Sequence, residues 1–135
     1  MKRIFISQDM RQLSEKEILE IRAIIMRDFT HLFGTDFVFI DSYRPHLPDD
    51  LLFKHKSPIE ALGHSLIMLS DADILLTSKN RYESVKDYTV SYCNDNKMIR
   101  GVETEINAAA TYGIPIIFYS LNEHKDEVRF EFNIK

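Results

Sequence analysis

The sequence predicts an α/β fold, with a mainly parallel sheet of four or five strands and helices on both faces in a doubly wound arrangement. Three observations carry this expectation. Short apolar runs rich in β-branched and aromatic residues read as buried strands at Lys2–Ser7, Asp36–Asp41, Ala72–Thr77 and Ile114–Tyr119. Helix-prone segments with apolar residues three or four apart alternate with them, which is the pattern of βαβ crossovers and hence of a parallel sheet. A chain of 135 residues that is 44% hydrophobic suits one core, so residues 1–135 are expected to form a single domain.

The first strand begins almost at once, which suits a central, buried position. After a loop, Ser14-Glu15-Lys16-Glu17 has capping-box spacing, and Ile18, Ile21 and Ile25 recur on one face, so a helix is expected from about 15 to 29. The second strand leads into an irregular stretch, Ser42 to Lys56, that holds two prolines and several His, Tyr and Asp residues. A second helix should start at Ser57-Pro58, with serine as cap and proline at the first helical position. Its inner face should be Ile59, Leu62, Leu66 and Leu69, and it should end near Ser70. Beyond the third strand, residues 78–99 turn polar and are expected to form an excursion or lid. The run RGVETEINAAATYGIP from Arg100 to Pro115 then predicts a helix of about three turns opened by Gly101, capped by Gly113 and followed by a strand. A last strand, Val128 to Ile134, alternates in the manner of an edge with one solvated face.

Composition excludes several functions. A formal charge of −4 and a pI near 5.7 are unsuited to a general binder of nucleic-acid polymers, which needs clustered Lys and Arg to neutralise phosphates. One cysteine, Cys93, allows no internal disulfide and no cysteine-rich metal site, and fits a reducing compartment. The five histidines lack HExxH or other ligand spacing, so no metal and no cofactor are expected. No segment is apolar over the length of a membrane span, and MKRIFIS lacks a signal-peptide core. The expectation is a cytoplasmic protein without membrane association.

In a doubly wound sheet, ligands sit beyond the carboxyl ends of the strands, where connections part to opposite faces. That edge should collect Ser7 to Arg11, Asp41 to Tyr43, Thr77 and Gly101 to Glu105. Glu105, near a helix start and close to strand ends, is the candidate nucleophile or general base. Glu103 should lie on another helix face, solvated or paired with Arg100. The loop Ser7-Gln8-Asp9-Met10-Arg11 can cradle an anion with backbone N–H groups, the serine hydroxyl and the arginine fork. Tyr43, Phe53 and Tyr82 offer rings that can stack on a base. Asp71 reads as a turn residue, and Asp73 as an anchor for local backbone.

Three pieces, IFISQDMR with SEKEI, SPIEALGHSLIMLSDADILL and RGVETEINAAATYGIP, resemble the nucleoside 2-deoxyribosyltransferase-like superfamily, which includes small phage and bacterial proteins. They cover roughly half the chain in the expected order, and the glycine, the glutamate four residues on, the alanines, glycine and proline of the last piece are the most specific. The resemblance implies a flavodoxin-like, Rossmann-like three-layer domain, usually oligomeric, that acts on the N-glycosidic bond of a deoxynucleoside or its 5′-monophosphate. It gives Glu105 the role of nucleophile on the anomeric carbon, and gives the Ser7, Met10 and Arg11 loop the role of holding sugar or phosphate. Asp41, Tyr43, Ser65 and Gly101 complete the implied substrate-binding set. Two departures stand out. The family's aspartate on the helix before the third strand is replaced by Ser65, with His64 beside it, and the first loop, SQDMRQL, has no glycine. The alternative expectation is therefore a non-catalytic module that binds or senses a nucleotide-like ligand.

Overall fold

The structure, a computed structural model, describes residues 1–8, 13–40, 58–79 and 100–132. Its elements in chain order are β1 (Lys2–Ser7), α1 (Glu15–Phe33), β2 (Phe37–Ile40), α2 (Pro58–Ser70), β3 (Ile74–Ser78), α3 (Arg100–Tyr112), β4 (Ile116–Leu121) and β5 (Val128–Phe132). The five strands form one sheet in the order β2-β1-β3-β4-β5. Pairing is parallel except for β5, which runs antiparallel to β4 at the edge. This is a doubly wound, flavodoxin-like order, in line with the doubly wound class that the alternating pattern predicts.

Side-chain alternation along the strands divides the core in two. Ile4, Ile6, Leu76 and Ile117 face one way and pack with Ile21, Ile25 and Phe29 of α1. Phe5, Leu75, Ile116 and Phe118 face the other way and pack with Leu69 of α2 and with Ile106 and Ala109 of α3. The result is three layers: α1, the sheet, and the pair α2 and α3. No helix among the described residues is long and apolar enough to cross a membrane.

The capping box at the start of α1 forms as expected. Ser14 Oγ accepts from the Glu17 N–H at 3.1 Å, and Glu17 Oε1 accepts from the Ser14 N–H at 3.2 Å. The helix continues past residue 29 to Phe33, because Phe29 and Phe33 extend its apolar stripe and the stop comes only at Gly34, whose φ is +88°. Phe29 is the centre of an aromatic cluster, with ring centroids 5.3 Å from Phe37 and 5.7 Å from Phe39 on β2, and 5.5 Å from Phe130 on β5. Those two strands are opposite edges of the sheet. Rings from both edges of the sheet thus converge on α1, the one helix on this face among the described residues.

Several strand boundaries shift by one or two residues from the expected ones, and the starts of β3 and β4 have a clear cause. Ala72 donates to the Leu69 carbonyl in the turn that closes α2, so β3 begins at Ile74. Asp73 does anchor backbone, but across the sheet: its Oδ2 accepts from the Arg3 N–H at 2.8 Å while its own N–H donates to the Arg3 carbonyl. The N–H of Ile114 returns to the Ala109 carbonyl around Gly113, which sits at φ +77° and closes α3. Strand β4 therefore starts two residues later than expected, at Ile116.

Candidate functional site

β1 and β3 are neighbours in the sheet, yet β1 continues into α1 on one face and β3 is followed by α3 on the other. Their carboxyl ends thus flank the switch point where such folds open a crevice. Ser7 and Thr77, near the ends of the two strands, are register partners. Alternation from Phe5 places the Ser7 side chain on the α2 and α3 side of the sheet.

There it meets Glu105. The Ser7 hydroxyl donates to Glu105 Oε1 at 2.8 Å, a buried hydrogen bond between residues 98 apart in sequence. Glu105 is 6% exposed. Burial disfavours the charged carboxylate and raises its pKa from an ordinary 4.5 to about 7, against the lowering effect of the Ser7 bond. Oε2 takes no hydrogen bond from any described residue. One oxygen is therefore held by Ser7, and the other has no hydrogen bond among the described residues. With its pKa raised toward neutral pH, the group can give or accept a proton and, once ionised, can act as a nucleophile.

Of the sequence-predicted set, the structure brings Ser7 and Glu105 together. Ser65 is half-buried on α2, one turn before the buried Leu69, on the helix that shares a core with α3. Gly101 lies in the first turn of α3. Met10, Arg11, Asp41 and Tyr43 lie outside the described residues, as do Phe53, Tyr82 and the expected lid from residue 80 onward.

The structure corrects one expectation. Glu103, expected to be solvated or paired with Arg100, is 5% exposed and so not solvated, and the Arg100 side chain lies outside the described residues. Two residues on a helix are about 200° apart, so Glu103 and Glu105 occupy opposite shoulders of the buried stripe formed by Val102, Ile106 and Ala109. The Glu105 shoulder is joined to β1 by the hydrogen bond from Ser7.

Sequence reasoning also missed a buried polar pair next to the site. Gln8, the first residue beyond β1, donates through Nε2 to the Ile18 carbonyl and accepts through Oε1 from Arg22 Nε, each at 3.1 Å. Both side chains are buried. They fix the point where the chain leaves β1 to the first turns of α1. A signal was present: Arg22 falls four residues after Ile18 and three before Ile25, within the apolar stripe of α1.

Among the described residues no three His, Cys, Asp or Glu side chains are grouped to hold a metal ion. No protein-family model, curated protein or solved structure matches the chain.

Proposed function

We propose that this protein cleaves an N-glycosidic bond, or transfers a deoxyribosyl group, on a nucleoside or nucleoside 5′-monophosphate, with Glu105 as the nucleophile. The observation that supports the reading is the Glu105 carboxyl, buried at the switch point with Oε1 held by Ser7. Oε2 of the ionised group forms a bond to the anomeric carbon as the carbon–nitrogen bond breaks, and the electron pair of that bond leaves with the base, which takes up a proton. Water, or the nitrogen of a second base, then displaces the carboxylate from the anomeric carbon and gives up a proton. A facing carboxylate suits the oxocarbenium-like character of such a transition state. The resemblance of RGVETEINAAATYGIP to the deoxyribosyltransferase-like proteins points the same way. No resident cofactor is needed. The test is to incubate the protein with a panel of deoxynucleosides and deoxynucleotides and follow release of free base. Release by the wild type that is lost in Glu105→Ala supports the proposal, and equal behaviour of the two throughout the panel refutes it.

One observation favours a second reading, in which the same crevice binds a nucleotide-like ligand without turnover. Ser65 stands where the resembling enzymes place an aspartate that orients or protonates the base, and a serine hydroxyl is too weak an acid for that step. This reading expects a thermal shift with some nucleotide and no free base. No shift across a broad nucleotide panel would exclude it.

A further inference from the structure

Thr77 has no part in the chemistry above, although it sits beside it. It is the register partner of Ser7, and the pair two residues earlier, Phe5 and Leu75, both face α2 and α3. Alternation therefore puts the Thr77 hydroxyl on the same face as the Ser7 hydroxyl and Glu105, on the adjacent strand. Thr77 is 0% exposed, and its Oγ1 has no hydrogen-bond partner among the described residues. An unbonded buried hydroxyl is a standing cost to the fold that valine, of the same shape, would not impose.

The Glu105 carboxyl presents the complementary lack. A protonated carboxyl accepts the bond from Ser7 at one oxygen and carries its own O–H on the other, so it takes no second donor there. A carboxylate can accept at both oxygens, and out of water it needs those bonds to be stable. We propose that Thr77 is a positioning residue for Glu105, its hydroxyl being the second donor that the carboxylate takes on ionising, so that β1 and β3 each supply one hydroxyl to hold the charged form. This rests on Glu105 being the working group of the site, and not on which reaction it performs.

Other ionisable groups do not supply that second bond among the described residues. Glu103 on α3 and His64 on α2 are titratable on the helices around Glu105, and Lys79, just past β3, pairs with Glu131 at 2.8 Å. Tyr119 of β4 faces α1, and Lys2, Arg3, Asp71 and Asp73 lie at the opposite edge of the sheet. The influences acting on Glu105 are burial and Ser7.

The experiment follows the Glu105 proton directly. Protein labelled with 13C at the glutamate carboxyl is titrated by NMR as wild type, Thr77→Val and Thr77→Ser, with Glu105→Gln to assign the signal. Removing a bond to the charged form should raise the Glu105 midpoint by about one pH unit in Thr77→Val, whereas Thr77→Ser keeps the hydroxyl and should titrate like the wild type. Urea unfolding gives a second readout with a sign: Thr77→Val should be at least as stable as the wild type at pH 5 and less stable at pH 8.5. Thr77→Ala, which removes the hydroxyl by a different change of shape, should raise the midpoint in the same direction and serves where valine does not fold. An unmoved midpoint in a hydroxyl-free variant overturns the proposal. Absence of turnover would not affect this result, and an unmoved midpoint would leave the glycosidic reading intact.

Discussion

Replacing Glu105 with glutamine should make the protein more stable, and increasingly so as the pH rises. In the unfolded chain Glu105 loses its proton near 4.5, while in the fold burial holds it to about 7. Between those values the unfolded state binds fewer protons than the folded one, so the free energy of unfolding falls with rising pH. The stability is fully present below about 4.5, and its loss is complete once the pH has passed about 7. The two values lie about 2.5 pH units apart, and at about 1.4 kcal/mol per unit the loss comes to about 3.5 kcal/mol, a sizeable share of the ~5–15 kcal/mol that holds a domain folded. Glu105→Gln has no proton to lose, and its amide oxygen can still accept the Ser7 hydroxyl at Oε1. Urea denaturation of both proteins at several pH values between 4 and 8.5 isolates the effect, because all other titrating groups cancel in the difference. The variant should gain on the wild type by up to about 3.5 kcal/mol across that range. A difference that stays flat to within about 0.5 kcal/mol would show that Glu105 ionises as an ordinary surface carboxylate, and would refute both the burial argument and the mechanism built on it.

Two further predictions concern the scaffold. Phe29→Ala empties the centre of the aromatic cluster on which both sheet edges converge and should cost about 3–5 kcal/mol in urea unfolding, with Phe29→Leu recovering most of it. Ser14→Ala removes the hydroxyl half of the capping box, the bond from the Glu17 N–H, and should cost about 1 kcal/mol, read as a fall of a few degrees in Tm.

What the sequence made legible was whatever depends on neighbours along the chain. The period-two and period-3.6 patterns located every described strand and helix, and the capping box and Gly113 marked two helix ends, because the local geometry there is set by four or five adjacent residues. Errors arose where a distant partner decides. α1 runs to Phe33 because Phe130, from the other end of the chain, gives that turn something to pack against at 6.0 Å. Glu103 is buried although it lies on the shoulder of the apolar stripe of α3, which the helix pattern alone does not reveal. At the site, topology alone placed Ser7 and Glu105 at one edge, but which atoms meet depends on the parallel register and on the face that Ser7 presents. The expected role of Ser7 as a ligand for sugar or phosphate is also changed in emphasis, since its hydroxyl is already committed to Glu105.

The physical case for a working site rests on the conflict between Glu105 and the rest of its surroundings. Ile106, Ala109 and the apolar residues of β3 and β4 are what a helix packed on a parallel sheet ordinarily buries, and an acid among them lowers stability near neutral pH. A purely structural role for the side chain would be served as well by glutamine, which accepts the same bond without the ionisation penalty. An ionisable group retained against that penalty, at the switch point, with one oxygen fixed and one open, has the properties expected of a reacting group. Its support is also rigid, because Ser7 and Thr77 belong to paired inner strands of the sheet and cannot shift without breaking the β1–β3 ladder. The helix therefore brings the acid to a fixed hydroxyl floor, and the position of Glu105 is set before any ligand arrives.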